Sequence, residues 1–191
     1  MAKLLQLLPL FLKLDGRKVV VVGAGPVAAS KLATLRGTGA AVVVVAPEVS
    51  EAVEREGVAI ERRAFRPEDL DGAWLAIAAA PPEVNRAVAV EAGRRRVFVN
   101  AVDDPERASA YAGGVVRHAG MTFAISTSGA TPALAGLLRE GLEALLPDDL
   151  DAWVAQARSL RTEQKAARVP MAERRPLLLQ ALNRLYAKDG Q

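Results

Sequence analysis

The sequence contains no cysteine. Disulfide bonds, cysteine-ligated zinc and iron–sulfur clusters are therefore excluded. Its single histidine, His118, excludes any metal site built from several histidines. Charge of one sign is also scarce: 25 basic residues stand against 22 acidic ones, a net charge of +3. That small excess suits an acidic ligand and is too weak to argue for nucleic acid. No apolar run is long enough to span a bilayer. The opening MAKLLQLLPLFLKL has a leader-like Lys3 and leucines. Pro9 and Lys13 interrupt the run, however, and no small-residue cleavage site follows. The expectation is a cytoplasmic protein without membrane or nucleic-acid partners. There is no internal repeat and no low-complexity tract.

What is present is apolar and ordered. The 191 residues are 51% hydrophobic and 25% charged, which argues against disorder and allows one sizeable core with an appendage, or two modest domains. Short β-branched runs alternate with helical stretches as far as residue 102. Val19–Val22, Ala41–Ala46, Val58–Phe65, Ala73–Ala80 and Val97–Val102 read as strands, the third being the weakest. They do not alternate polar with apolar, so they belong to a parallel sheet covered on both faces. A helix from Pro26 puts Ala28, Leu32 and Leu35 on one face and stops at Gly37 and Gly39. Another spans Pro82 to Gly93, and Arg94–Arg96 suit its C-terminal end. After Asp103 the pattern changes. Residues 113–126 read as a hairpin with His118-Ala119-Gly120 at its turn, which makes His118 a surface turn residue rather than a catalyst. Helices follow from Pro132 to Leu146, from a cap at Asp148 or Asp149 to Ala166, and from Met171 to Ala187. The expected architecture is an α/β Rossmann-type parallel-sheet domain (1–112), a small α+β segment (113–147) and a helical C-terminal domain (148–191).

The stretch VVVVGAGPVAASK carries the first chemical signal. Gly23 permits a tight turn out of the first strand. Gly25 lets the backbone approach a pyrophosphate, and Ala28 lets the helix pack close to the sheet. Pro26 and Val27 open a helix whose N-terminus offers N–H groups to phosphate. Together they point to a dinucleotide, NAD or NADP. The acidic residue that usually ends the second strand and binds ribose is missing. The sequence there is VVVVAPE, leaving Pro47 and the slightly late Glu48 as cofactor contacts. A solvated loop is the plain alternative for Glu48, and the choice of dinucleotide stays open on these residues.

LPLFLKLDGRKVVVVGAGPVAASK, WLAIAAA with Val84-Asn85, VNAVDDP (99–105) and AISTSGATPALAGLLREGLEALLP (124–147) occur in that order. Together they resemble the precorrin-2 dehydrogenase module of the siroheme synthase family over nearly the whole chain. The last two segments are much more specific than the glycine turn. The resemblance implies NAD-dependent oxidation of precorrin-2 to sirohydrochlorin, in siroheme or cobalamin synthesis. Insertion of Fe2+ or Co2+ is a second activity in some members, for which no preformed metal cage is visible. It also implies a homodimer formed through residues 113–147. Asp103 matches the family's important aspartate and becomes the candidate general base, with Asp104 as its neighbour. Ala80, where relatives carry threonine, falls beside the cofactor. Asn100, Ser126, Thr127 and Ser128 become candidate substrate contacts; an N-cap region for the helix at Pro132 is the plain alternative for the serine loop. Arg158, Arg161, Lys165, Arg168, Arg174 and Arg175 could meet substrate carboxylates or form a solvated face. Two rivals of other classes are an NAD-sensing regulatory dimer and a tetrapyrrole carrier. The sensor does not need Asp103, and the carrier would bind sirohydrochlorin without reducing NAD.

Overall fold

The computed structural model describes residues 7–129 and 131–188. The first six residues of the leader-like opening, and Ala130 within the serine loop, lie outside the described residues, as do residues 189–191. The chain forms two compact units. One holds the described residues up to Ala112 together with Ser128 and Gly129; the other holds residues 113–127 and those from Thr131 onward.

The first unit is built on five parallel strands: β1 (Lys18–Val22), β2 (Ala41–Val45), β3 (Ala59–Glu61), β4 (Ala73–Ala78) and β5 (Phe98–Ala101). Their order is β3-β2-β1-β4-β5, the Rossmann order, with the topological switch between β1 and β4. Helices α1 (Pro26–Leu35), α2 (Glu51–Glu54) and α3 (Pro82–Arg95) and a 3-10 turn (Pro67–Leu70) cover the sheet.

Two apolar layers hold it. Val20, Val22, Val45, Ala76 and Ala78 face Leu70, Val88, Ala89 and Ala92, the layer of α3 and the 3-10 turn. Val21, Val44 and Ile77 face Ala28, Leu32 and Val53, the layer of α1 and α2. Val19 to Val21 are wholly buried, as a strand covered on both faces requires. Each such valine removed from water contributes roughly 1.5–3 kcal/mol.

β2, β4 and β5 are one or two residues shorter than the apolar runs that announced them, while β1 starts one residue earlier, at Lys18. Past the C-terminal ends of β2 and β5 the ladder continues for one residue: Ala46 N–H donates to Glu61, and Val102 N–H to Ala78. The third strand needs a larger correction, because only Ala59–Glu61 of the expected 58–65 pair with β2. Beyond Glu61 the chain turns away. The Arg63 guanidinium grips the Asp69 carboxylate with two bonds of 2.8 and 2.6 Å, and Phe65 packs into the α3 layer instead of extending the sheet. Helix α3 passes through Gly93 and ends at Arg95, with Arg96 taking the left-handed capping conformation (φ 58°).

The second unit contains an antiparallel hairpin, β6 (Gly114–His118) and β7 (Met121–Ile125), and helices α4 (Pro132–Leu145), α5 (Leu150–Ala166) and α6 (Met171–Lys188). Ala119 and Gly120 both have positive φ, making the two-residue turn expected beside His118. Helix α4 packs on β6 through Ala135; a side chain at Gly114 would come within 2.8 Å of the Ala135 carbonyl. Asp149 stands at the N-cap of α5 without a side-chain capping bond. Between α5 and α6, Arg174 Nε donates to the Val169 carbonyl at 2.9 Å, and Gln164 is buried in the joint. Pro176 lies inside α6, where it removes one helical hydrogen bond. Among the described residues no helix is long and apolar enough to cross a membrane.

Candidate functional site

Val45, Val22, Ala78 and Ala101 stand in one row across four strands. Every residue that leaves the sheet toward its C-terminal edge does so from this row. Gly23, Ala46, Ala79 and Val102 are therefore neighbours across the edge where open α/β sheets bind ligands. The expected cofactor residues all lie here: Gly23, Gly25, Pro26 and Val27 after β1, Pro47 and Glu48 after β2, and Ala80 after β4.

Gly23 has a φ of 105°, and a side chain there would come within 2.2 Å of the Ala79 carbonyl. No other residue fits. A side chain at Gly25, in contrast, would meet nothing within 4 Å. The protein leaves the space above Gly25 open, as a turn that receives a phosphate group should. Pro26 is the first residue of α1 and Val27 stands exposed in its first turn. The Gly25 and Val27 amides have no acceptor among the described residues. These groups fit a dinucleotide pyrophosphate, held by backbone N–H groups and the positive end of the helix. Pro47 and Glu48 are exposed on the loop after β2, and Glu48 has no ion-pair partner among the described residues.

Two residues of this edge have a role that the sequence does not announce. Ser50 donates both its N–H (3.1 Å) and its hydroxyl (2.7 Å) to the Ala24 carbonyl, inside the glycine turn. Asn85, 7% exposed, accepts the Ala80 N–H at 2.9 Å and so holds the turn after β4. A signal for Asn85 existed. It shares the buried stripe of α3 with Val88, Ala89 and Ala92, and a polar residue on an apolar stripe usually serves a hydrogen bond.

The VNAVDDP segment forms the end of β5 and the turn beyond it. Asn100 Nδ2 donates to the Ala110 carbonyl at 2.9 Å, while its Oδ1 is buried without a partner among the described residues. The two aspartates are separated by their surroundings. Asp104 binds Arg107 at 2.7 Å and accepts the Arg107 N–H, and the guanidinium hydrogen bond holds its carboxyl below the usual carboxylate range. Asp103 has left-handed backbone (φ 59°), is exposed, and has no hydrogen-bond or ion-pair partner among the described residues.

Gly129 lies against this turn. A side chain there would come within 3.0 Å of Pro105 Cβ and 3.2 Å of the Tyr111 ring, whose hydroxyl donates to the Pro105 carbonyl. Ser128 and Gly129 thus belong to the unit of Asp103, while Ser126 and Thr127 belong to the other. Thr127 Oγ1 accepts the Thr131 N–H at 3.4 Å, near the start of α4. His118 is exposed at the end of β6. No group of three or more histidines, aspartates or glutamates among the described residues could hold a metal ion.

A family model described as "Putative NAD(P)-binding" matches residues 10–114, more than half of the chain. The chain belongs to that NAD(P)-binding family. It is also 42% identical over 173 residues to siroheme synthase 3 of Aeromonas hydrophila subsp. hydrophila, covering 88% of this chain and 37% of that protein. To siroheme synthase of Photorhabdus laumondii subsp. laumondii it is 39% identical over 185 residues, covering 94% of this chain and 39% of that protein. These relatives carry the name of the family that VNAVDDP and STSGATPALA resemble. The chain spans less than two fifths of the length of these relatives. A solved structure of SirC, a precorrin-2 dehydrogenase, aligns with a TM-score of 0.71 at 24% identity, over 91% of this chain and 88% of that one. The expected Rossmann-type fold is therefore the fold observed.

Proposed function

We propose that this chain is a precorrin-2 dehydrogenase, oxidising precorrin-2 to sirohydrochlorin with NAD as hydride acceptor and Asp103 as general base. One observation carries the assignment to Asp103. Of the two carboxylates after β5, Asp104 is committed to Arg107, and Asp103, exposed at the sheet's C-terminal edge, has no partner among the described residues. When bound, the nicotinamide accepts the hydride. Loss of two electrons as hydride leaves a proton on the substrate, and an unpaired carboxylate at this edge can take it. Glu48 is the first acidic residue of the loop that follows β2 and supports a free ribose hydroxyl, hence NAD over NADP. Asn100, Ser126, Thr127 and Ser128 supply hydrogen-bonding groups for a substrate rich in carboxylates.

The same reading includes a homodimer formed through residues 113–147. Its support is the leucine stripe of α4 (Leu134, Leu137, Leu138 and Leu145), each of which keeps about half or more of its surface exposed among the described residues.

The test is anaerobic mixing of the protein with enzymatically prepared precorrin-2 and NAD, following NADH and the sirohydrochlorin spectrum. Wild type should form NADH. Asp103→Asn should slow the reaction at least about 100-fold, the contribution of a positioned general base. NADH production that survives the substitution would remove Asp103 from the mechanism. No NADH with NAD or NADP would remove the dehydrogenase reading, and full NAD binding without turnover would favour the sensor. Fe2+ or Co2+ added after oxidation reads out metal insertion against a protein-free control.

A further inference from the structure

We infer that Ser50 is a positioning residue for the cofactor's pyrophosphate, acting through the peptide between Ala24 and Gly25. This deepens the cofactor reading and rests on it. Ser50 precedes α2 at the N-cap position, with extended backbone (φ −75°, ψ 151°). A serine there ordinarily turns its hydroxyl back to accept an amide of its own helix. This one makes no such bond. Its hydroxyl instead donates across 26 residues to the Ala24 carbonyl at 2.7 Å, and its own N–H reaches the same oxygen at 3.1 Å.

Peptide geometry supplies the consequence. Among the described residues no peptide bond is cis. In a planar trans peptide the C=O and N–H point in opposite directions. Pinning the Ala24 carbonyl toward Ser50 therefore aims the Gly25 N–H the other way. That N–H has no acceptor among the described residues, and the space around Gly25 is open. Glycine has the freest backbone of all residues, so a peptide beside Gly25 would otherwise sample several orientations. Ser50 removes that freedom before the ligand arrives, and affinity rises with such preorganisation. Ser50 thus directs a donor at the phosphate without touching it.

The experiment is calorimetric titration of wild type, S50A, S50T and V53A with NAD, NADP, ADP and adenosine, alongside thermal melts without ligand. S50A should weaken NAD and ADP roughly fivefold, the value of one net hydrogen bond, and leave adenosine within twofold. S50T keeps a hydroxyl and should restore NAD to within twofold of wild type. Val53, a residue of α2, is wholly buried and takes no part in the bonds to Ala24. V53A should therefore lower the melting temperature while leaving NAD affinity unchanged. An S50A protein that binds NAD within twofold of wild type overturns the inference. So does an equal loss with V53A, an equal loss with adenosine, or no recovery in S50T. A wild-type protein that binds neither NAD nor NADP overturns the cofactor reading itself, and this inference with it.

Discussion

Asn85 shows how much one buried amide can fix. Its Oδ1 holds the Ala80 N–H, and Ala79 and Ala80 are the backbone against which Gly23 is packed. The glycine turn thus rests on a second turn that is itself held by a side chain. Asn85→Ala would leave the Ala80 amide without its acceptor, and the expected cost is about 1–3 kcal/mol of stability. Chemical denaturation checks this; an unchanged midpoint would mean that water takes over the bond. Residues differ in how far the sequence exposes their purpose. Gly23 and Gly25 were legible because their chemistry is local, a strand behind and a helix ahead. Asp103 and Asp104 were legible as a pair, and only the Arg107 contact separates their roles. Ser50 was not legible, because its partner lies 26 positions away and a serine before four helical residues looks like an ordinary cap.

At the scale of elements, the apolar strands were plain in the sequence and the β3 edge of the sheet was not. β1, β2, β4 and β5 are buried enough that composition alone marks them. β3 pairs on one side only, and the path of the chain beyond it is decided by an ion pair between Arg63 and Asp69. No periodicity announces that contact, nor the one-turn α2 or the 3-10 turn. Asp69 also accepts the Arg66 N–H at 2.8 Å, so its carboxylate closes the 3-10 turn from two directions. The Arg63 hydrogen bonds above all hold its carboxyl below the usual range. Its folded pKa is depressed, so the charged form contributes stability that is complete above the unfolded value near about 4. That stability is lost as pH falls through the lower folded value. Asp69→Asn should therefore cost about 1–3 kcal/mol at neutral pH, as lost charged hydrogen bonds do. The gap between wild type and variant should close in unfolding measurements taken below about pH 4. A gap that persists at the acid end would assign the loss to packing rather than to the ion pair.

At the scale of the whole molecule, the question is what covers α4. Leu134, Leu137, Leu138 and Leu145 fall at i, i+3, i+4 and i+11, one side of the helix, and Leu137 and Leu145 are 66% and 81% exposed. The flank beside it is occupied, since Ala135 is buried and packs toward β6. A single exposed leucine needs no explanation, but a row of them along one helix marks an interaction surface. A second copy of the chain is the proposed partner, because an isologous contact lets one stripe bury its own equivalent. Each leucine so covered contributes roughly 1.5–3 kcal/mol to association. Replacing Leu137 and Leu138 together by glutamate removes two such contributions and places like charges face to face across the two-fold axis. Light scattering after size exclusion should then show a dimer for wild type and a monomer for the double variant, with the far-ultraviolet helix signal retained. A wild-type monomer at micromolar concentration would remove the homodimer from the functional reading, while leaving Asp103 and the cofactor edge, which belong to the first unit, as they stand.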